Sequence, residues 1–173
     1  MLIVFTGNGK GKTSAAVGQS MRMAGVGKKT LMVKFIKGPW ISGEDVACDR
    51  LSPYFKIRKV GKGFVGIQGD TLTREDHAEA AAEGMEYARS EARSGNWHMI
   101  VLDELLNAMK LDLIGFEAAM KLIDDIAPYV EHVIVTGRDC PEELVEKADL
   151  VTYMREVKHP FAKGGKAVRG IEY

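Results

Sequence analysis

The sequence has little cysteine, no excess of charge of either sign and no long apolar run. Cys48 and Cys140 are its only cysteines, and their wide separation argues against a disulfide framework or zinc cluster and favours a reducing cytoplasm. Lys and Arg number 24, as do Asp and Glu, so no basic excess indicates nucleic acid as a partner. The apolar runs have strand length and no signal-like segment is evident, which predicts a soluble protein without membrane spans.

The 173 residues fit a single domain in which strands and helices alternate. Runs that are apolar throughout, such as 100–102 and 133–135, favour an α/β fold with a mostly parallel sheet covered by helices on both faces. The clearest helix signal begins at Thr73, which can cap an acidic first turn, and ends near Gly95. The six predicted strands are residues 2–5, 30–36, 55–60, 99–102, 132–136 and 150–153.

A glycine-rich loop follows the first predicted strand and leads into a helical pattern. Glycines in such a turn let consecutive backbone N–H groups face phosphate oxygens, and the helix N-terminus adds partial positive charge. Lys12 can reach the outer phosphates and Thr13 can ligate Mg²⁺, so the loop predicts nucleoside triphosphate binding. Thr6 occupies the position where the common pattern has glycine, which predicts an unusual way of holding the triphosphate. The candidate ATP-binding residues are Gly7, Asn8, Gly9, Lys10, Gly11, Lys12, Thr13 and Ser14.

Two carboxylates, Asp103 and Glu104, end the fourth predicted strand. Beside a phosphate-binding loop, one of them can hold Mg²⁺ opposite Thr13. The alternative is that they only cap the helix that follows. The sequence identifies neither a water-positioning Gln nor an arginine finger, which argues against simple hydrolysis.

Two other segments contain candidates for binding a large, flat ligand. In the Gly- and Lys-rich stretch 59–69, Phe64 offers an aromatic face, and Trp40 follows the second strand at the same edge of the sheet. The alternatives are an ordinary connecting loop and a tryptophan that only packs. Lys158 and His159 lie in a basic tail that suits phosphate or amide-rich ligands, or simply a solvated surface.

Five short motifs and the last four residues are spread over nearly the whole chain. They are TGNGKGKT (6–13), FIKGPW (35–40), VLDEL (101–105), TGR (136–138), VKHPF (157–161) and the terminal GIEY (170–173). Together they resemble the ATP:cob(I)alamin (corrinoid) adenosyltransferases of the P-loop type. The resemblance implies a homodimeric RecA-like domain that transfers the 5′-deoxyadenosyl group of ATP to the cobalt(I) of a reduced corrinoid and releases inorganic triphosphate. It also implies that ATP lies reversed in the loop.

The resemblance also implies roles for individual residues. Lys10 and Lys12 would neutralise the leaving triphosphate with Mg²⁺, which Thr13, Asp103 or Glu104 would hold. Phe64 matches an aromatic residue that displaces the lower axial ligand of cobalt, whereas Gly66 stands where the family has a second aromatic residue. An electron-donating reductase or flavodoxin-like protein would be a partner. The implied corrinoid-binding residues are Trp40, Phe64, Lys158 and His159.

Two other functional classes stay open at the level of the sequence. A small-molecule kinase or ATPase needs only the phosphate-binding loop and the acidic strand end, and it would produce ADP. A non-catalytic nucleotide- or corrinoid-binding module would bind its ligand without turnover. The identity of the phosphate product distinguishes both from adenosyl transfer.

Overall fold

A parallel β-sheet forms the centre of the protein in the computed structural model, which describes residues 1–38, 40–63, 65–67 and 69–171. The strands are β1 (Leu2–Thr6), β2 (Thr30–Lys34), β3 (Phe55–Lys59), β4 (Met99–Asp103), β5 (His132–Thr136) and β6 (Leu150–Tyr153). They lie side by side in the order β3-β2-β4-β5-β1-β6, and every pair of neighbours is parallel. All six predicted strands are therefore present, with small differences at their ends, and the predicted α/β class is confirmed.

Helices connect these strands. The helix predicted from Thr73 begins after that residue, whose hydroxyl accepts a hydrogen bond from the N–H of Asp76. The Asp76 carboxylate accepts in return from the N–H of Thr73 at 2.8 Å, and this reciprocal cap fixes the first turn. The helices are α1 (Lys12–Gly25), α2 (Gly43–Arg50), α3 (Arg74–Arg93), α4 (Leu105–Lys110), α5 (Phe116–Ile126) and α6 (Glu142–Lys147).

Both faces of the sheet are buried, which explains the apolar runs of the sequence. In β4, Ile100 and Leu102 join an apolar cluster with residues of α3, α4 and α5. Met99 and Val101 point to the opposite face and join a second cluster with residues of α1 and α2. Since neighbouring residues of a strand face opposite sides, a strand covered on both sides must be apolar throughout.

The parallel arrangement brings several loops to one edge of the sheet. The segments that follow β1, β2, β4, β5 and β6 all leave from the carboxyl ends of their strands. In open sheets of this type, ligands bind at that edge. Among the helices in the described ranges, none combines the length and the apolar character needed to cross a membrane.

Candidate active site

The phosphate-binding loop lies between β1 and α1 and is held against the chain that follows β6. The N–H of Gly9 donates to the carbonyl oxygen of Met154 at 2.7 Å, and the N–H of Met154 donates to the carbonyl oxygen of Thr6 at 2.7 Å. A Cβ atom on Gly7, where φ is 102°, would lie 2.4 Å from the Met154 oxygen, and one on Gly9 would lie 2.8 Å from it. Glycine is required at both positions because a larger residue would push the loop away from this segment.

Thr6 explains why the first glycine of the loop falls one position later than in the common pattern. It is the last residue of β1 and is buried. Its hydroxyl accepts a hydrogen bond of 3.3 Å from the N–H of Cys140, in the chain that follows β5. Position 6 therefore belongs to the sheet, and the turn itself starts at Gly7.

Lys12 reaches back across the loop. Its Nζ donates to the carbonyl oxygens of Gly7 and Gly9, each at 2.7 Å. An ammonium group has three donor hydrogens, so one is left for a phosphate oxygen. Burial and the charge of Arg138 lower the pKa of Lys12, and nearby glutamates oppose this shift. Lys10 lies exposed at the rim of the same loop.

Asp103 lies under the loop at the end of β4 and is only 1% exposed. Its Oδ1 accepts hydrogen bonds from the hydroxyls of Thr13, at 3.0 Å, and Thr136, at 2.7 Å. The Thr136 oxygen accepts in turn from the N–H of Glu104 at 2.9 Å. Burial raises the pKa of Asp103 above its ordinary value. Thr136 is a site residue that the sequence reasoning did not select.

Glu104 turns its side chain into the site through an unusual backbone conformation. Its φ of 61° lies in the left-handed region, which glutamate rarely adopts. It occupies the N-terminal cap position of α4, but its side chain makes no capping hydrogen bond there. This geometry argues against the alternative that the two acids only cap the helix. Burial, followed by the charge of Asp103, raises the pKa of Glu104 to about 7.

The chemistry of this donor set fits Mg²⁺. Asp103 Oδ2 and Glu104 Oε2 are buried and lack a hydrogen-bond partner among the described atoms, and the other oxygen of Asp103 accepts from the Thr13 hydroxyl. Unpaired buried carboxylate oxygens are costly, and a hard cation would satisfy them. Within the described part of the chain, no three His, Cys, Asp or Glu residues form a ready-made metal cage. Mg²⁺ does not need one, because it is commonly held by one or two carboxylates together with substrate phosphates and water.

A cleft of about 1000 Å³ opens above the loop. This volume is at the upper end of the range of about 300–1,000 Å³ that is typical of ligand sites. One wall is the phosphate-binding loop. The others come from the chain after β2, from α2, from the 65–67 segment, from Glu104 and α4, and from the chains after β5 and β6. The lining includes Lys10, Lys12, Glu44, Val65, Ile67, Glu104, Arg138, His159 and Phe161.

A buried ion pair between Lys34 and Glu44 supports the wall formed by α2. Lys34 is fully buried at the end of β2, and its Nζ donates to Glu44 Oε1 at 2.5 Å. Lys37 approaches the same oxygen at 3.4 Å. Burial favours a higher pKa for the Glu44 carboxyl, but the hydrogen bond and charge of Lys34 outweigh it and lower the pKa to about 2. The sequence reasoning missed this pair.

The proposed corrinoid-binding residues have different locations. His159 lines the cleft, where its Nδ1 accepts a hydrogen bond of 3.2 Å from the N–H of Phe161. Lys158 is exposed and lies outside the described lining. Trp40 also lies outside that lining and is 60% exposed, and its ring lies beside Gly63, where a Cβ atom would be 3.2 Å away. Phe64 lies outside the described residues.

Together, the parallel sheet, the glycine-rich loop after β1 and the aspartate beneath it define a P-loop nucleotide-binding protein. Comparisons with known proteins identify the family more narrowly. Residues 1–173 match the family described as ATP:corrinoid adenosyltransferase BtuR/CobO/CobP, and the chain belongs to this family. This confirms the resemblance inferred from the motifs.

Curated relatives are similar over the whole of this chain. The corrinoid adenosyltransferase of Escherichia coli K12 is 38% identical over 173 residues, which make up 85% of its own length. Corrinoid adenosyltransferase CobA of Salmonella typhimurium is 35% identical over 173 residues and is likewise covered to 85%. The corrinoid adenosyltransferase of Pseudomonas aeruginosa is 37% identical over 175 residues and is covered to 83%.

Proposed function

We propose that the protein transfers the 5′-deoxyadenosyl group of ATP to the cobalt(I) of a reduced corrinoid and releases inorganic triphosphate. Family membership over the full chain supports this reaction. Within the site, the observation that carries the proposal is the position of Lys12. Its ammonium group spans the phosphate-binding loop next to a pair of buried carboxylates with unpaired oxygens. Such a site suits a highly charged leaving group.

The reaction needs charge stabilisation rather than an activated water. The electron pair of cobalt(I) attacks the 5′ carbon of ATP, the cobalt–carbon bond forms, and the C5′–O bond breaks. Its electrons leave with the triphosphate, whose growing negative charge Lys12, Lys10 and the loop N–H groups stabilise. Mg²⁺ would be held by Thr13 together with Asp103 or Glu104, and it would supply further positive charge to the phosphate oxygens.

The corrinoid would occupy the part of the cleft away from the phosphate-binding loop. The position of His159 in the lining supports its proposed contact with the corrinoid. Phe64, Trp40 and Lys158 are proposed from the family resemblance. If Phe64 displaces the lower axial ligand, Phe64→Ala should slow the reaction that starts from the cobalt(II) corrinoid more than the one given chemically prepared cobalt(I). Equal losses in the two assays would argue against this role.

We also propose that the enzyme works as a homodimer in the cytoplasm and receives electrons from a reductase or flavodoxin-like protein. Cobalt(I) must be generated by reduction, so an electron donor is required by the chemistry of the substrate. The two free cysteines, Cys48 and Cys140, agree with a reducing compartment. Size-exclusion chromatography with light scattering tests the dimer directly.

The decisive experiment combines the protein with Mg²⁺-ATP and chemically reduced cobalamin. Formation of the cobalt–carbon bond is followed by absorbance, and the phosphate product is identified by chromatography. Adenosylcobalamin and triphosphate in equal amounts are expected, and Lys12→Ala serves as the inactive control. ADP as the product would support a kinase or ATPase instead, and binding of ATP without any product would support a carrier.

A further inference from the structure

Asp70 and His77 form a shielded carboxylate–histidine pair beside the cleft. The Nε2 atom of His77 lies 3.1 and 3.2 Å from the two carboxylate oxygens of Asp70. The exposed fraction is 3% for the His77 side chain and 9% for the Asp70 side chain. His77 belongs to the first turns of α3, whereas Asp70 lies in the irregular chain before that helix. The pair therefore joins a rigid element to a glycine-rich segment.

Asp70 also organises the backbone around itself. Its Oδ2 accepts a hydrogen bond of 2.8 Å from the N–H of Gly66, and its Oδ1 accepts one of 3.1 Å from the N–H of Leu72. Its own N–H donates to the carbonyl oxygen of Ile67 at 2.9 Å. The backbone N–H groups of Gly66 and Leu72 are the main reason that the pKa of Asp70 is lowered. The group is then a carboxylate that only accepts, so His77 must be the donor.

The chain held in this way forms an apolar wall of the cleft. Val65 and Ile67 line the cleft on either side of Gly66. Val65 packs against the main apolar cluster, whereas Ile67 is 56% exposed and faces the cleft without such support. Gly66 has a φ of 68°, and the described residues 65–67 belong to no helix or strand. The position of this wall therefore depends on a few specific contacts, of which those to Asp70 are the most direct.

We propose that Asp70 and His77 are positioning residues that fix the 65–67 wall for contact with the corrinoid. The assignment of the wall to the corrinoid rests on the proposed function. Asp70 ties Gly66 to α3 through His77, so the apolar side chains on both sides of Gly66 are set before the substrate arrives. Preorganisation of this kind lowers the cost of binding. ATP binds at the phosphate-binding loop, so its binding should not depend on the pair.

The test uses variants of both residues in the full chain. His77→Leu removes the hydrogen-bond donor but keeps a side chain of similar size. Asp70→Asn leaves a single acceptor oxygen, which cannot replace both carboxylate oxygens that accept from the N–H groups of Gly66 and Leu72. His77→Gln is the conservative variant, because its amide nitrogen can donate from nearly the same place as Nε2. Glu86→Gln is the matched control, since it removes an exposed ion pair with Arg89 in the same helix.

The first readout is the KM for each substrate in the assay with chemically prepared cobalt(I). Loss of a positioning contact typically costs about 10–100-fold, so His77→Leu and Asp70→Asn should raise the KM for the corrinoid by at least about tenfold. The KM for ATP should change by less than about twofold, since the variants leave the phosphate-binding loop unchanged. His77→Gln should recover most of the loss and Glu86→Gln should behave as wild type. An equal rise in both KM values, or an unchanged KM for the corrinoid, would overturn the proposal.

The second readout does not depend on the reaction. Amide hydrogen exchange of the free protein should become at least about tenfold faster at Gly66, at Leu72 or at both in Asp70→Asn, while the strands keep their protection. Unchanged exchange at these two amides would contradict the positioning role even in an active enzyme. If the wild-type protein makes no adenosylated corrinoid, the proposed function fails, and the exchange result then decides separately whether the pair holds the wall.

Discussion

The hydroxyl of Thr13 donates a 3.0 Å hydrogen bond to Oδ1 of Asp103, a residue that lies 90 positions further along the chain. This contact joins the start of α1 to the end of β4 and places the hydroxyl beside the Asp103 carboxylate, whose second oxygen is buried and unpaired among the described atoms. Thr136 donates to the same Oδ1 at 2.7 Å, so Asp103 is held from two sides. The orientation of the proposed metal ligands is thus set by the protein alone.

Asp103→Asn should weaken the use of Mg²⁺. The substitution keeps the size of the side chain but removes its charge, which is the property that a hard cation requires. Substitution of a metal ligand, or of a residue that orients one, typically costs about 10–100-fold in metal affinity or activity. The Mg²⁺ concentration that gives half-maximal rate should therefore rise by at least about tenfold. Rates measured over a Mg²⁺ titration at fixed ATP test this.

The control for that experiment is Asp112→Asn. Asp112 forms an ion pair with Arg74, and its side chain is 84% exposed, unlike the buried Asp103. Its Mg²⁺ dependence should match that of the wild-type protein. An unchanged Mg²⁺ dependence in Asp103→Asn would exclude Asp103 from metal binding and leave Glu104 as the candidate.

Lys12→Ala should abolish turnover, whereas Lys10→Ala should only reduce it. The Lys12 ammonium crosses the loop and contacts Gly7 and Gly9, but Lys10 is exposed at the rim, where solvent screens its charge. Loss of one preorganised charge near a leaving group typically costs at least about 100-fold in kcat. Single-turnover rates with chemically prepared cobalt(I) provide the comparison. Similar rates for the two variants would show that the position of Lys12 across the loop has no special role.

Gly9→Ala should disrupt the phosphate-binding loop without unfolding the protein. A Cβ atom at this position would lie 2.8 Å from atoms of Met154 and Arg155, so the loop would have to move away from them. ATP affinity should fall by at least about tenfold, since the loop N–H groups would no longer converge on the phosphates. Isothermal titration with Mg²⁺-ATP measures this effect.

Gly18→Ala is the matched control for the loop variant. Gly18 lies inside α1, and a Cβ atom there would have no neighbour within 4 Å. Because alanine favours the helix over glycine, this variant should gain about 0.5–1 kcal/mol of stability and bind ATP normally. ATP affinity of Gly9→Ala equal to that of Gly18→Ala would refute the steric argument.

The sequence predicted the strands and the helix that begins after Thr73 because their signals are local. An apolar run such as 100–102 indicates a strand covered on both faces, and Thr73 with Asp76 three residues later is a complete capping signal. The position of Asp103 was also predictable, because the carboxyl ends of parallel strands lie at the edge of the sheet where the phosphate-binding loop lies. These inferences need only the spacing of nearby residues.

The burial of Lys34 and the contact of Thr136 with Asp103 were missed because they depend on the order of the strands. The residues Lys34 and Asp103 end neighbouring strands only because β2 lies next to β4, and no local pattern specifies that neighbour. Thr136 reaches Asp103 because β5 lies on the other side of β4. The sequence around Lys34 contains no pattern that indicates that this lysine is fully buried.

The Lys34–Glu44 pair makes the protein sensitive to acid. The pKa of Glu44 is lowered from 4.5 to about 2, so the pair adds stability above pH 4.5 that is lost as the pH falls through 4.5 towards 2. At about 1.4 kcal/mol per unit, the contribution at neutral pH is at most about 3.5 kcal/mol. Glu44→Gln should therefore be less stable than wild type at pH 7, and its free energy of unfolding in urea should fall less between pH 5 and pH 3.5.

The double variant Lys34→Met with Glu44→Gln should recover part of the loss at pH 7, because it no longer leaves a buried charge unpaired. Identical pH profiles for wild type and Glu44→Gln would show that the ion pair does not contribute to stability.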